Sequence, residues 1–323
     1  MKSIARAPWL LALAALFISA PAVAQQTYPN KPIRFIIPFA PGGSTSILGR
    51  LVGDRLTKSW GQPVIVDNRA GGGTVIGTQV VAKSPADGYT LLMATATHVV
   101  HPWLNTTPYD AVEDFAAVAT LSRSEYLLTI NPAVPAMNVK EFITYAKSKP
   151  GQLNFSSPGN GGLGHLSGEL FNLVAGVKLQ HIPYKGSAPA ITDLLGGQVQ
   201  ASFVTPIGVL SHVQAGKLRA LAITGKSRLE SLPQVPTFTE AGLAGFDVTV
   251  WFGVLMLGGT PRDIIGKLNG EINAFLAVPE VKANLASQGM APFVSTPEQF
   301  AALMKADSAM YGKVIKAANI KPE

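Results

Sequence analysis

The chain has 323 residues, 47% hydrophobic and 14% charged, with a formal net charge of +7 and no cysteine. That composition describes a packed globular protein rather than a disordered one, and roughly 300 residues suffice for two domains with separate cores. Disulfides and thiol chemistry are excluded; Lys and Arg are scattered without a basic run interleaved with aromatics, which argues against nucleic acid, while the mild positive excess suits anions.

Lys2 and Arg6 precede an apolar run at 9–18 and then Ala22-Val23-Ala24, a small-x-small sequence. Residues 1–24 are therefore expected to be a secretory signal peptide cleaved near Ala24. No later segment supplies the uninterrupted run of about 20 apolar residues that a membrane span needs.

Strand-like runs then alternate with helical ones. Ile33–Ile37 precedes an amphipathic stretch with Ile47, Leu48, Leu51, Val52 and Leu56, ended by Gly61; a strand at 64–66, a helix at 74–83 and a strand at 89–94 follow. This order reads as α/β architecture with parallel strands. A second series starts at Asn138, whose spacing to Glu141 is that of a capping box for a helix over 139–147. Strands are expected near 153–156, 179–183, 199–204 and 219–223, separated by helices. The apolar run 248–257 leads to two more helices, with start signals at Thr260-Pro261-x-Asp263 and Thr296-Pro297-x-Gln299. These late helices lack strands of their own, so the chain is expected to cross back and pack them on the first lobe. Crossings near 126–131 and 246–257 would form a hinge.

The turns between strands and helices carry the chemistry. Pro38-Phe39-Ala40-Pro41-Gly42-Gly43-Ser44-Thr45-Ser46 joins the first strand to the first helix and places two glycines and three hydroxyl residues where helix N–H groups lack partners, an anion site by construction. Asn68-Arg69-Ala70-Gly71-Gly72-Gly73 leads into the second helix. Gly159-Asn160-Gly161-Gly162-Leu163-Gly164-His165 opens a helix of the second lobe. Carboxyl ends of parallel strands face one crevice, so turns from two lobes can converge on a ligand.

Gly159 to Gly164 also matches G-x-G-x-x-G, which leaves open an exported α/β oxidoreductase with a nicotinamide cofactor. The acidic residue expected about 20 positions on is missing, with no acid before Asp193. The histidines at 98, 101, 165, 181 and 212 show no H-E-x-x-H spacing, and no G-x-S-x-G is present, so no metal, no cofactor and no catalytic residues are expected. His98 lies just past a strand end, and Phe39, Tyr184, Trp251 and Phe252 fall next to the turns or crossings, where they could wall a cleft.

At these residues the sequence resembles the solute receptors of tripartite tricarboxylate transporters, the Bug family. The resemblance rests on Tyr28-Pro29-Asn30-Lys31-Pro32-Ile33, Pro38-Phe39-Ala40-Pro41-Gly42-Gly43, Val66-Asp67-Asn68-Arg69, Pro85-Ala86-Asp87-Gly88-Tyr89, Gly159-Asn160-Gly161, His165-Leu166, Pro183-Tyr184-Lys185-Gly186, Asp193-Leu194-Leu195-Gly196-Gly197 and Trp251. It spans essentially the whole chain after the leader. The resemblance implies a two-lobed periplasmic binding protein fold, type II-like, with two crossover strands forming a hinge: lobe 1 from 25–125 plus 247–323, lobe 2 from 126–246. It implies a periplasmic monomer that captures a small carboxylate through the turns at 39–46 and 159–165 and delivers it to inner-membrane permease subunits. A receptor feeding a membrane sensor is the alternative partner.

The family commonly carries Asp where this sequence has Ser46. A neutral hydroxyl there can donate to a carboxylate and would not attract an ammonium group, so the expected ligand is a di- or tricarboxylate. Phe39, Trp251 and His98 as stacking groups point to an aromatic one such as terephthalate. The expected ligand residues are Phe39, Ala40, Gly42, Gly43, Ser44, Thr45, Ser46, Gly159, Asn160, Gly161, Gly162, His165 and Trp251, with Asn68, His98, Tyr184 and Thr205 meeting the distal group.

Overall fold

The computed structural model describes residues 28–317; the expected signal segment and its cleavage site lie outside the described residues. Two sheets organise the chain. The first begins with β1 (Ile33–Ile37), α1 (Ser44–Trp60), β2 (Val64–Asn68), α2 (Val75–Ala82), β3 (Thr90–Thr95), the short α3 (Thr97–Val100) and β4 (Phe115–Glu125). The second takes β5 (Leu127–Ile130), α4 (Val139–Ser148), β6 (Asn154–Ser157), α5 (Leu163–Ala175), β7 (Gln180–Pro183), α6 (Ser187–Leu195), β8 (Ala201–Val204), α7 (Pro206–Gln214) and β9 (Arg219–Ile223). The chain returns to the first sheet through β10 (Thr249–Leu257), α8 (Arg262–Ala277), α9 (Pro279–Ser287), β11 (Ala291–Pro292) and α10 (Pro297–Ala317).

Strand order is β11-β4-β10-β3-β1-β2 in one sheet and β7-β6-β8-β5-β9 in the other. β1 runs parallel to β2 and β3, and β6 parallel to β7 and β8. The parallel architecture read from the sequence holds for these strands but not for all. β10 is antiparallel to β3 and β4, and β5 to β8 and β9, because both enter their sheets from the opposite lobe.

Local chemistry explains the elements. β1 and β3 are buried along nearly their whole length, as strands covered on both faces must be. α1 buries Leu48, Val52 and Leu56, one face of a helix, and ends at Gly61, whose φ of 67° no side chain opposes and whose N–H bonds Thr57 O at 2.9 Å. Asn138 caps α4, its side-chain oxygen accepting from Glu141 N–H at 2.9 Å. Thr296 and Gln299 exchange side chain and backbone bonds in a complete capping box on α10. The start expected at Thr260 is shifted: Pro261 is the cap residue of α8, and the Thr260 hydroxyl donates back to Leu257 O at 2.7 Å, closing the end of β10. α8 and α10 pack on β4, covering the first sheet. No helix among the described residues is long and apolar enough to cross a membrane.

The hinge is narrow. Tyr126 alone separates β4 from β5, and residues 224–248 carry the chain back from β9 to β10. Thr224, fully buried, ties the two crossings together. Its hydroxyl accepts from Tyr126 N–H at 2.8 Å and donates to Val248 O at 2.6 Å, while its own N–H donates to Tyr126 O at 2.8 Å. Thr224→Val keeps the shape and leaves two buried backbone groups unpaired. It should lower unfolding free energy in urea by about 1–3 kcal/mol, and an unchanged transition would show that the clamp contributes nothing.

Candidate ligand-binding site

Four helices from the two lobes start at one crevice, and their N-termini are built alike. α1 follows Gly43 in extended backbone (φ −88°, ψ 177°), α5 follows Gly162 (φ −93°, ψ 171°), α6 follows Gly186 and α7 follows Thr205; none has a side-chain cap or an acidic residue in its first turn. The other long helices differ: α4, α8, α9 and α10 each carry an acid in the first turn, at Glu141, Asp263, Glu280 and Glu298. A helix start without cap or acid leaves N–H groups and the positive end of its dipole for an external anion.

Two adjoining cavities lie between these helix ends. The first, of about 50 Å³, is lined by Phe39, Gly159, Gly162, Tyr184 and Lys185 and by the turn at 71–74. The second, of about 30 Å³, is lined by Ser44 and Thr45 of α1, Ser187 of α6, Thr205 before α7, and Phe252. Phe39, Thr97, Tyr126 and Pro158 wall both. No Asp or Glu lines either cavity, and Lys185 is the charged side chain present.

The lobes touch around these cavities. Ala40 N–H donates to Lys185 O at 2.6 Å across the seam. A Cβ on Gly42 would meet that of Ala188 at 3.4 Å, and a Cβ on Gly43 would collide with Ser187 Oγ and lie 3.5 and 3.6 Å from the Ser187 and Ala188 amide nitrogens. The start of α1 thus faces the start of α6.

Of the residues expected at the ligand, Phe39, Ser44, Thr45, Gly159, Gly162, Tyr184 and Thr205 line the cavities. Ala40, Gly42 and Gly43 form the seam beside them. Others have different work. Trp251 lies on the opposite face of β10, its Nε1 donating to Asp307 at 2.8 Å and its ring edge-on to Phe300; its neighbours Val250 and Phe252 face the cavity, as strand alternation requires. His98 is buried behind the wall, bonded through Nε2 to Ala111 O and stacked on Tyr109. Ser46 is 1% exposed and lines neither cavity: Asn68 donates to its hydroxyl at 2.6 Å and to Phe39 O at 2.9 Å, so Ser46 and Asn68 brace the turn.

In the second lobe, Gly161 N–H is taken by His165 Nδ1 at 3.2 Å, and Gly161 faces His101 and Asn105 of the first lobe, not the cavity. His165 stacks on His181 with centroids 3.9 Å apart and supports the turn from below. Asn160 has a buried side-chain oxygen without a hydrogen-bond partner and lies outside the lining. Tyr184 presents its ring, because its hydroxyl is bonded to Asp193 at 2.6 Å; burial and that carboxylate push its pKa up to about 12.

Sequence reading missed Thr74, Thr95, Thr97, Tyr126, Ser187, Lys185 and Val250 as wall residues. Ser187 was within reach: it follows a glycine, opens a helix without an early acid, and so repeats the pattern of Ser44. No such signal marks Tyr126, which lines the site because the hinge passes there. Among the described residues no cluster of His, Cys, Asp or Glu could hold a metal.

The sequence profile of the tripartite tricarboxylate transporter family receptor matches residues 48–320. BugT of Bordetella pertussis is 41% identical over 297 residues, covering 90% of this chain and 91% of the relative. Among solved structures, Rpa4515 of R. palustris with adipate is 35% identical with a TM-score of 0.89, covering 92% of this chain and all of that one. MatC from Rhodopseudomonas palustris with bound malate is 30% identical with a TM-score of 0.84, covering 89% and 100%. Similar structures also include a periplasmic binding protein.

Two outcomes follow from this geometry. Gly43 has ordinary extended backbone, so Gly43→Val should fold; Ser187 can swing its hydroxyl from one added carbon, but valine methyls would press on the α6 amides and prop the lobes apart. Ligand affinity measured by calorimetry should fall at least about 10-fold with little change in unliganded melting temperature. Burial lowers the pKa of His98 and of His181 to about 4. Unfolding lets both regain protons, so stability should fall as pH drops from about 6.5 toward 4, and His98→Gln should flatten that slope in melts at stepped pH.

Proposed function

Because the chain belongs to the tripartite tricarboxylate transporter receptor family, a family of solute-binding receptors rather than enzymes, we propose that it is a monomeric periplasmic receptor for a small dicarboxylate. Family receptors work with the membrane components of tripartite transporters, and this chain would deliver its ligand to such components. In this reading the lobes divide at 125/126 and 246/247, the two crossings of the hinge.

One observation carries the ligand class: two adjoining cavities, each edged by uncapped helix starts and neither containing an acid. A carboxylate at the starts of α1, α6 and α7 and another near the start of α5 and Lys185 would fill both. An amino acid would bring an ammonium group with no carboxylate to meet it. Ser46 takes no part in this selection, because it lies off the cavity and is bonded to Asn68. The two-ended reading agrees with the adipate and malate in the solved relatives.

An aliphatic ligand fits better than terephthalate. Of the three aromatic groups that suggested a ring, only Phe39 reaches the wall, and the cavities are narrow. Capture follows from electrostatics. The starts of α1 and α6 are positive ends pressed together when the lobes close, so closure is favoured when an anion sits between them.

Thermal shift with succinate, malate, adipate, citrate, terephthalate, benzoate and aspartate tests the reading, since only ligands of the native state raise its melting temperature. An aliphatic dicarboxylate should give the largest rise. A larger rise with terephthalate would overturn the aliphatic preference, and one with aspartate or benzoate would overturn the two-ended site.

A further inference from the structure

Four residues wall both cavities and so mark the neck where one adjoins the other: Phe39, Thr97, Tyr126 and Pro158. Phe39 and Pro158 are apolar, and the Tyr126 phenol interacts with Tyr311 of α10, which lines neither cavity. Thr97 therefore supplies the hydroxyl at the neck. It opens α3 directly beyond β3, held there by its N–H, which donates to Thr95 Oγ1 at 3.3 Å.

The Thr97 side chain rests on the second lobe. A Cβ on Gly162 would lie 3.0 Å from Thr97 Oγ1 and 3.4 Å from its Cγ2, so the start of α5 closes on this side chain and fixes its place. Among the described residues the Thr97 hydroxyl has no hydrogen-bond partner. Unlike the Thr74 and Thr78 oxygens, it is not sealed from solvent: the residue is 7% exposed, and its open side is the cavity wall. The other hydroxyls of the site are placed differently. Ser44, Thr45, Ser187 and Thr205 line the smaller cavity and not the larger, at the starts of α1, α6 and α7. The Tyr184 hydroxyl is bonded to Asp193.

A ligand with a carboxylate in each cavity would pass its carbon chain through the neck, a path that rests on the dicarboxylate reading above. A plain methylene there would strip water from Thr97 Oγ1 and return no hydrogen bond, whereas a hydroxyl on the chain would replace the lost partner. We propose that Thr97 determines specificity for a hydroxyl carried between the two carboxylates, which makes hydroxydicarboxylates the preferred ligand class. A site that hydrogen-bonds a ligand hydroxyl rejects the analogue lacking it, because its own polar group is then left unpaired.

The test measures binding by calorimetry for succinate and malate, and for adipate and 2-hydroxyadipate, pairs that differ by one hydroxyl. Wild type should bind the hydroxylated member of the pair it accepts at least about 5-fold more tightly. Thr97→Val keeps the shape of the side chain and should bring that ratio to within about 2-fold of unity. Thr97→Ser should preserve it. Because the readout is a ratio within one protein, a general loss of stability or of closure cancels. A wild-type ratio near unity, an unchanged ratio in Thr97→Val, an equal loss for both members, or a ratio lost as fully in Thr97→Ser would each overturn the proposal. Discrimination lost in Tyr126→Phe but kept in Thr97→Val would do the same. If wild type binds none of these ligands, the functional reading fails with it; binding without discrimination sinks only the role of Thr97.

Discussion

The approach of two helix N-termini across the seam governs this molecule. α1 and α6 begin in different lobes, and Gly43 brings the first backbone close to the amides of Ser187 and Ala188. Their dipoles point the same sign at each other. A cap or an early acidic side chain on either helix would relieve that repulsion from within, and both helices lack them. In the proposed reading the relief comes from outside as an anion, which would couple ligand capture to lobe closure in one electrostatic term. Where helices face solvent or pack on the outer side of a sheet, caps and acids return, as at Asn138 and Thr296.

The hinge belongs to the same device. Tyr126 is the residue at which the chain passes between lobes, and it walls both cavities. Its N–H and C=O are both held by Thr224. A ligand held in these cavities would sit against the point at which the chain crosses between lobes. In the second lobe the aromatic side chains Phe171, Phe203, Phe238 and Phe246 pack on one another, with Phe238 and Phe246 stacked at 4.2 Å. They hold the returning segment to its lobe.

Neutral groups set the remaining geometry. His165 accepts a hydrogen bond at Nδ1 from Gly161 N–H, so that nitrogen carries no proton, and the stacked His181 bonds Ser157, whose hydroxyl donates to Gly159 O. These imidazoles shape the 159–162 turn without placing charge at the cavity. The positive potential there is left to helix starts and Lys185. Dipoles distributed at two places would suit a ligand that is itself two-ended.

The sequence alone determined what depends on local rules. Alternating strand and helix periods dictated the α/β architecture, Asn138 and Thr296 announced their helices, and the glycines at 42–43, 71–73 and 159–162 marked turns with free amides, because caps and positive φ are settled within a few residues. Tertiary structure decided which of those turns reach the cavities. Trp251 and Phe252 are equivalent in a strand buried on both faces, and only the packing of α10 against one face sent Trp251 away from the cavity. Ser46 and Ser44 share one helix turn, and only Asn68, brought alongside by β2, turned Ser46 into a brace. The place of His98 after a strand suggests a ligand contact, but the backbone at Ala111 claims its Nε2. The meeting of Gly43 with Ser187 was invisible locally: a residue's partners in another lobe depend on how two sheets close, and no periodicity within either segment encodes that.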